Sequence, residues 1–277
     1  MPRIKLRDIE LSYTVDDYTD PWKRAPWVLL HHSAVGSSRR WYGWVPHLAR
    51  SYRVLRYDVR GHGDSTWPLQ NAHFTLDTFV DDVAAILDAL DIPRIHFVGA
   101  SGGGIVGLKF AHAYPERTRS LTLVASTPSL SESHVDLSQW GKLLQEHGVK
   151  GWLMADSQAR FGNAPEGLVE WFTDEGARTS VKVAKAYTSY MATVDLTHLL
   201  PEIKAKTLIL AAEEDEITPM HVQKGMRDTM PNARLITYGD VGHNIKVLIP
   251  DQLARDTLEF LQDVDKMEDL TLGFVDC

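Results

Sequence analysis

The chain has almost no cysteine: its 277 residues contain one, Cys277. A single thiol excludes an intrachain disulfide and argues against a thiolate metal cluster or a cysteine nucleophile. Long apolar runs are missing too. The opening residues, MPRIKLRDIELSY, lack the apolar core of a signal peptide, and no stretch approaches the ~18 apolar residues of a membrane span. Positive charge is in deficit. Lys and Arg number 29 against 37 Asp and Glu, a formal net charge of −8. That balance disfavours nucleic acid and anionic membrane as partners. There is no internal repeat and no low-complexity segment. The expectation is a cytoplasmic protein whose oligomeric state, monomer or homo-oligomer, stays open.

What is present suits one large α/β domain. Hydrophobic residues make up 44% and charged residues 24%, and the length buries a sizeable core. Apolar and polar residues alternate through Ile4, Leu6, Ile9, Leu11, Tyr13 and Val15, which predicts a hairpin turning near Arg7-Asp8. Short apolar runs at 27–32, 52–58, 94–100, 120–126, 206–214 and 233–240 suit buried parallel strands. Residues 75–91 carry Leu76, Phe79, Val80, Val83, Ile86, Leu87 and Leu90 at helical spacing. Further helices are expected after Gly102, near 219–230 and over about 250–261. Between 128 and 200 no strand is convincing. That stretch has Trp140, Trp152, Trp171 and the helically spaced pair Tyr187 and Met191. The predicted architecture is a mostly parallel sheet with helices on both faces and a helical insertion. The core would comprise 1–127 and 201–265, the insertion 128–200, and 266–277 would be a tail of undefined structure.

The stretch GASGGGIVG, residues 99–107, fits two incompatible motifs. Gly102, Gly104 and Gly107 spell the dinucleotide fingerprint G-x-G-x-x-G. That motif requires its first glycine at a strand end and an acidic residue roughly 20 positions further on. Here the strand ends near Val98–Gly99, and the later position is Ser126-Thr127-Pro128. Gly99, Ser101 and Gly103 spell G-x-S-x-G, a sharp strand-to-helix turn that presents a serine nucleophile. Its context is met: strand, turn, helix. The bland alternative is a glycine-rich turn without chemistry.

A serine nucleophile needs a base, and the base needs an orienting carboxylate. Asp215 follows one apolar run and His243 follows another, both at C-terminal strand ends where open α/β sheets place their sites. Glu213, Glu214 and Asp240 compete with Asp215, and the whole acidic run also reads as a solvated loop. Among 12 histidines, only His243 completes the pattern. His62 falls in a glycine-rich turn, and His96 and His112 fall on a strand and a helix. His31 and His32 are adjacent, so on a strand they face opposite ways and make a poor metal pair.

Together LLHHS, YDVRGHGDS (57–65), GASGG, AAEEDEITP (211–219) and GDVGH (239–243) resemble the α/β-hydrolase superfamily of Ser-His-Asp type. The chain is most similar to its 3-oxoadipate enol-lactonase branch and related esterases. The resemblance implies a serine hydrolase acting on a carboxylic ester or lactone of a small, partly apolar molecule, with no metal or organic cofactor. It implies Ser101 as nucleophile, His243 as base and Asp215 as orienting acid. The oxyanion donors would be the amides of Gly102 and Ser33. Many relatives have His-Gly where this chain has His31-His32, so His32 either tolerates the backbone or lines the pocket. Trp140, Trp152 and Tyr187 either line the pocket or pack the insertion onto the core. The same fold and triad also serve C–C bond hydrolases, cofactor-free oxygenases and non-catalytic ligand sensors.

Overall fold

Eight strands form one sheet in the order β1-β2-β4-β3-β5-β6-β7-β8. They are β1 (Arg3–Lys5), β2 (Glu10–Asp16), β3 (Trp27–His31), β4 (Arg53–Tyr57), β5 (Ile95–Ala100), β6 (Thr118–Val124), β7 (Lys206–Ala212) and β8 (Ala233–Tyr238). The computed structural model describes residues 1–67 and 74–273. Cys277 and the last residues of the expected tail lie outside them. The first two strands pair antiparallel, and from β4 to β8 the ladder is parallel.

Successive side chains point to opposite faces of a strand, and both faces here are covered. Val28 and Leu30 join Val54, Val98 and Leu208 in one apolar cluster, whereas Leu29 joins Leu55, Phe97, Leu121 and Ile209 in the other. This explains why the central strands are continuously apolar and do not alternate. The core helices are α1 (Val45–Leu48), α2 (Leu76–Ala89) and α3 (Gly102–Ala113). The Thr75 hydroxyl caps α2 by accepting from the Thr78 amide at 3.1 Å.

The insertion between β6 and β7 is helical: α4 (Trp140–Ala155), α5 (Ser157–Phe161), α6 (Glu166–Ala177) and α7 (Val181–Met191). Its neck is closed by an antiparallel bridge between Ser129 and Asp195 and by the Leu196 amide donating to the Pro128 carbonyl at 3.0 Å. Gly148, at φ +68°, kinks α4. The chain then adds α8 (Met220–Thr229), α9 (Ile245–Leu248) and α10 (Pro250–Gly273).

The last helix extends beyond the expected 250–261 and takes up part of the segment expected to be a tail. Tertiary contacts sustain it. Val264 is buried, and the Asp265 carboxylate accepts from the Tyr52 hydroxyl at 2.8 Å and meets His96 Nε2 at 3.2 Å. No helix among the described residues is long and apolar enough to cross a membrane.

Candidate active site

The ends of β3, β5, β7 and β8, with β6 between the second and third, bring the site residues to one edge of the sheet. Ser33 follows β3, Ser101 follows β5, Asp215 follows β7 and His243 follows β8. Ser101 adopts φ 52° and ψ −122°, a region costly for any residue with a Cβ. Its amide donates to the Val124 carbonyl at 2.9 Å, and its carbonyl accepts from the Ser126 hydroxyl at 2.8 Å. These bonds on both sides hold the strained turn.

Glycine is required around it. A Cβ on Gly103 would lie 2.7 Å from the carbonyl oxygens of His31 and His32, and one on Gly99 would overlap the Gly103 carbonyl. Gly107 packs against Phe97 and Leu121. The glycines of the apparent dinucleotide fingerprint therefore lie within α3, where Gly107 lets the helix settle on the sheet.

Ser101 Oγ lies 2.9 Å from His243 Nε2. His243 Nδ1 lies 3.0 and 2.9 Å from the two carboxylate oxygens of Asp215. With Nδ1 donating to the carboxylate, Nε2 is left to accept from the serine. Asp215 also accepts from the amides of Ile217 at 2.9 Å and Thr218 at 2.8 Å, and from the Thr218 hydroxyl. Burial pushes its carboxyl up. The neighbouring His243 and the Thr218 hydroxyl and amide outweigh that and hold it below the usual carboxylate range. Glu213, Glu214 and Asp240 are exposed; Asp215 alone of the competing acids is buried against the histidine.

Above Ser101 lies a cavity of about 40 Å³, bordered by Gly102, Ala34 and the insertion. Trp140, Trp152 and Tyr187 all reach it, as do Arg160 and Met191. Tyr187 stands over Gly102: a Cβ built there would come within 2.5 Å of the tyrosine hydroxyl. Among the described residues, the Gly102, Ser33 and Ala34 amides donate to no protein acceptor. Ser33 borders a smaller cavity of about 10 Å³ behind the site, together with Ser101 and His243.

His32 does not border the larger cavity, which corrects the second of its two expected places, the pocket lining. Its Nδ1 lies 2.8 Å from the Ser33 carbonyl, and its Nε2 accepts from the Val59 amide at 2.9 Å. Both ring nitrogens are used inside the core, so the ring is a structural peg. The YDVRGHGDS stretch is structural too. Asp58 accepts from the amides of Ser38 at 2.7 Å and Asp64 at 2.8 Å, and Arg60 pairs with Asp82 at 2.6 Å.

Sequence reasoning missed Arg160. It is buried on α5 with its guanidinium 4.8 Å from the Trp152 ring centre and 3.3 Å from Asp156. Its Nε has no hydrogen-bond partner among the described residues. Also missed was the contact of α5 with the histidine loop, where the His243 amide donates to Ala159 at 3.1 Å and the Asn244 amide to Arg160 at 3.0 Å. No group of three or more His, Cys, Asp or Glu among the described residues is placed to hold a metal ion.

Residues 26–171 match the family described as alpha/beta hydrolase fold. The chain belongs to the α/β-hydrolase fold family. Residues 182–262 also match a family of TAP-like proteins. A Pseudomonas savastanoi protein named "Putative carbamate hydrolase RutD" is 29% identical over 251 residues, covering 86% of this chain and 94% of that one. A 2-hydroxymuconate semialdehyde hydrolase from a Pseudomonas strain is 26% identical over 253 residues, covering 87% and 88%. Among solved structures, an enol-lactonase from Burkholderia xenovorans is similar in fold, with TM-score 0.86 and 22% identity, covering 94% and 100%. A hydrolase from Pseudomonas aeruginosa gives TM-score 0.83 at 28% identity, covering 94% and 97%. This α/β hydrolase thus sits among relatives that carry hydrolase names.

Proposed function

We propose that the protein is a serine hydrolase that cleaves a carboxylic ester or lactone of a small molecule through an acyl-enzyme. One observation carries the reading: the unbroken hydrogen-bonded line from Ser101 through His243 to Asp215 opens onto a cavity bordered by unspent amides. In this reading His243 Nε2 takes the proton as Ser101 Oγ attacks the carbonyl carbon. Asp215 keeps the imidazole in the tautomer that accepts at Nε2 and stabilises the imidazolium. The developing oxyanion is met by the Gly102 amide and by Ser33, or Ala34 beside it. The protonated His243 then donates to the leaving oxygen. Water, deprotonated by the same ring, attacks the acyl carbon and frees Ser101.

With the insertion seated, the cavity of about 40 Å³ holds one or two waters. Productive substrates must therefore be small, or must displace the side chains above Ser101. Arg160 gives a wall otherwise made of aromatic, aliphatic and threonine side chains one cationic donor with an unused Nε, which favours a substrate bearing a carboxylate or carbonyl away from the scissile bond. The names of the relatives support a second reading on the same machinery, with a carbamate or an activated C–C bond taking the place of the ester. Labelling by an organophosphonate tests the nucleophile. The adduct is expected on Ser101 and on no other residue.

A further inference from the structure

Lys246, like Arg40, is a buried cation with no carboxylate ion pair among the described residues. Arg60 is matched by Asp82 at 2.6 Å, and Arg160 by Asp156 at 3.3 Å. Lys246 is only 3% exposed. Its Nζ lies 4.9 Å from the centre of the Trp41 ring and donates to Ser33 Oγ at 3.2 Å. Burial, and then the cationic Arg40, hold its ammonium well below the ordinary lysine range. A buried ammonium without a carboxylate partner is unfavourable, and an aromatic face offsets only part of that cost.

The location gives this cost a use. Lys246 is on α9, three residues beyond His243. Its carbonyl accepts from Trp44 Nε1 at 2.9 Å, so the turn carrying it is anchored in the core. Its side chain borders the small cavity behind Ser101, which His243 and Ser33 also border. Ser33 is held from several sides. Its carbonyl is engaged by the His32 ring at 2.8 Å and by the Gly36 amide at 3.1 Å, and its hydroxyl by Lys246. The polar groups left unspent on this wall are the amides of Ser33 and Ala34. Arg40 braces the next peptide, with Nη1 3.5 Å from the Ala34 carbonyl.

We infer that Lys246 is a positioning residue for acyl transfer: by holding the Ser33 hydroxyl it fixes the Ser33–Ala34 wall against the oxygen that becomes negative in the tetrahedral intermediate. The inference rests on the reading of Ser101 as nucleophile. A donor displaced by a fraction of an ångström binds the ester almost as well but stabilises the intermediate less, so the effect falls on kcat.

The test is a double-mutant cycle on an aryl ester with Lys246→Met, Ser33→Ala and the pair, each compared with wild type by thermal melting. Each single variant is expected to lower kcat about tenfold with KM within about twofold. The rate of phosphonate adduct formation at Ser101 is expected to fall in parallel. The double variant is expected to be no slower than the slower single one, because both changes break the same bond. If Lys246→Met does not fold, Ser33→Ala carries the test alone, since it removes only the hydroxyl. Wild-type kcat in Ser33→Ala or in a folded Lys246→Met overturns the inference, as do losses that multiply in the pair or that appear in KM alone. If the wild-type protein neither turns over esters nor takes the phosphonate at Ser101, the functional reading itself has failed. If it does both while the variants match it, only the role of Lys246 has failed.

Discussion

The backbone amide of His243 is held by the backbone carbonyl of Ala159, 3.1 Å away and on the inserted helices. The proposed base is thus located partly by the insertion, not by its own β8 loop alone. A Cβ on Gly242 would lie 2.7 Å from that same carbonyl. Gly242→Ala must therefore push α5 and the histidine loop apart. We expect kcat/KM to fall about tenfold or more, since a misplacement of about 1 Å can cost 10²-fold. Steady-state kinetics alongside a melting curve checks this; unchanged kcat/KM would show that the contact does not position His243.

Arg160 should act on substrate choice. Arg160→Met keeps a long apolar side chain on α5 and the backbone bond to Asn244, and removes the cation from the Trp152 ring. KM for an ester bearing a remote carboxylate should rise about tenfold, the value of one charge-assisted hydrogen bond. KM for the matched neutral ester should hold. Equal effects on both would place Arg160 in the framework only.

His32 is expected to matter for stability. His32→Ala leaves the Val59 amide without its partner and takes one of two donors from the Ser33 carbonyl. A loss of about 2–3 kcal/mol is expected, measured as a lower urea midpoint. A variant as stable as wild type would contradict the peg role.

Acid should weaken the fold through its buried histidines. Burial pushes the rings of His31 and His62 down to about 4 from an ordinary 6.5. Above pH 6.5 neither the folded nor the unfolded chain protonates them. Between 6.5 and about 4 the unfolded chain takes up the protons while the folded one does not. Stability should therefore fall with pH through that window, by about 1.4 kcal/mol per unit for each histidine. Urea midpoints at pH 7 and pH 5 test the sign. A midpoint that rose on acidification would contradict the burial account.

The sheet was legible because its strands are short apolar runs, and the residues around Ser101, Asp215 and His243 because each follows such a run. Local chemistry also separated the serine turn from the dinucleotide motif, since Gly102 falls after the strand has ended. The contacts that bridge the insertion to the core had no such signature. Ala159 and Arg160 meet the histidine loop across more than 80 positions of chain, and no local pattern encodes that meeting. Lys246 did leave a trace: it is a lone lysine among Ile245, Val247, Leu248 and Ile249, where an apolar residue would be expected. The ring of His32 could not be placed, because its partner Val59 comes from a different strand end. The length of α10 was missed because Asp265 is held by Tyr52, just before β4, and by His96 on β5, both distant in sequence.

The central claim is nucleophilic attack by Ser101. Its most direct test is turnover of a panel of aryl esters, aliphatic esters and lactones by wild type and Ser101→Ala, with melting curves to confirm that both fold. The account predicts turnover of at least one ester or lactone by wild type and a loss of about 10⁴-fold or more in kcat for the variant. Ester or lactone turnover by folded Ser101→Ala at a near wild-type rate would contradict it.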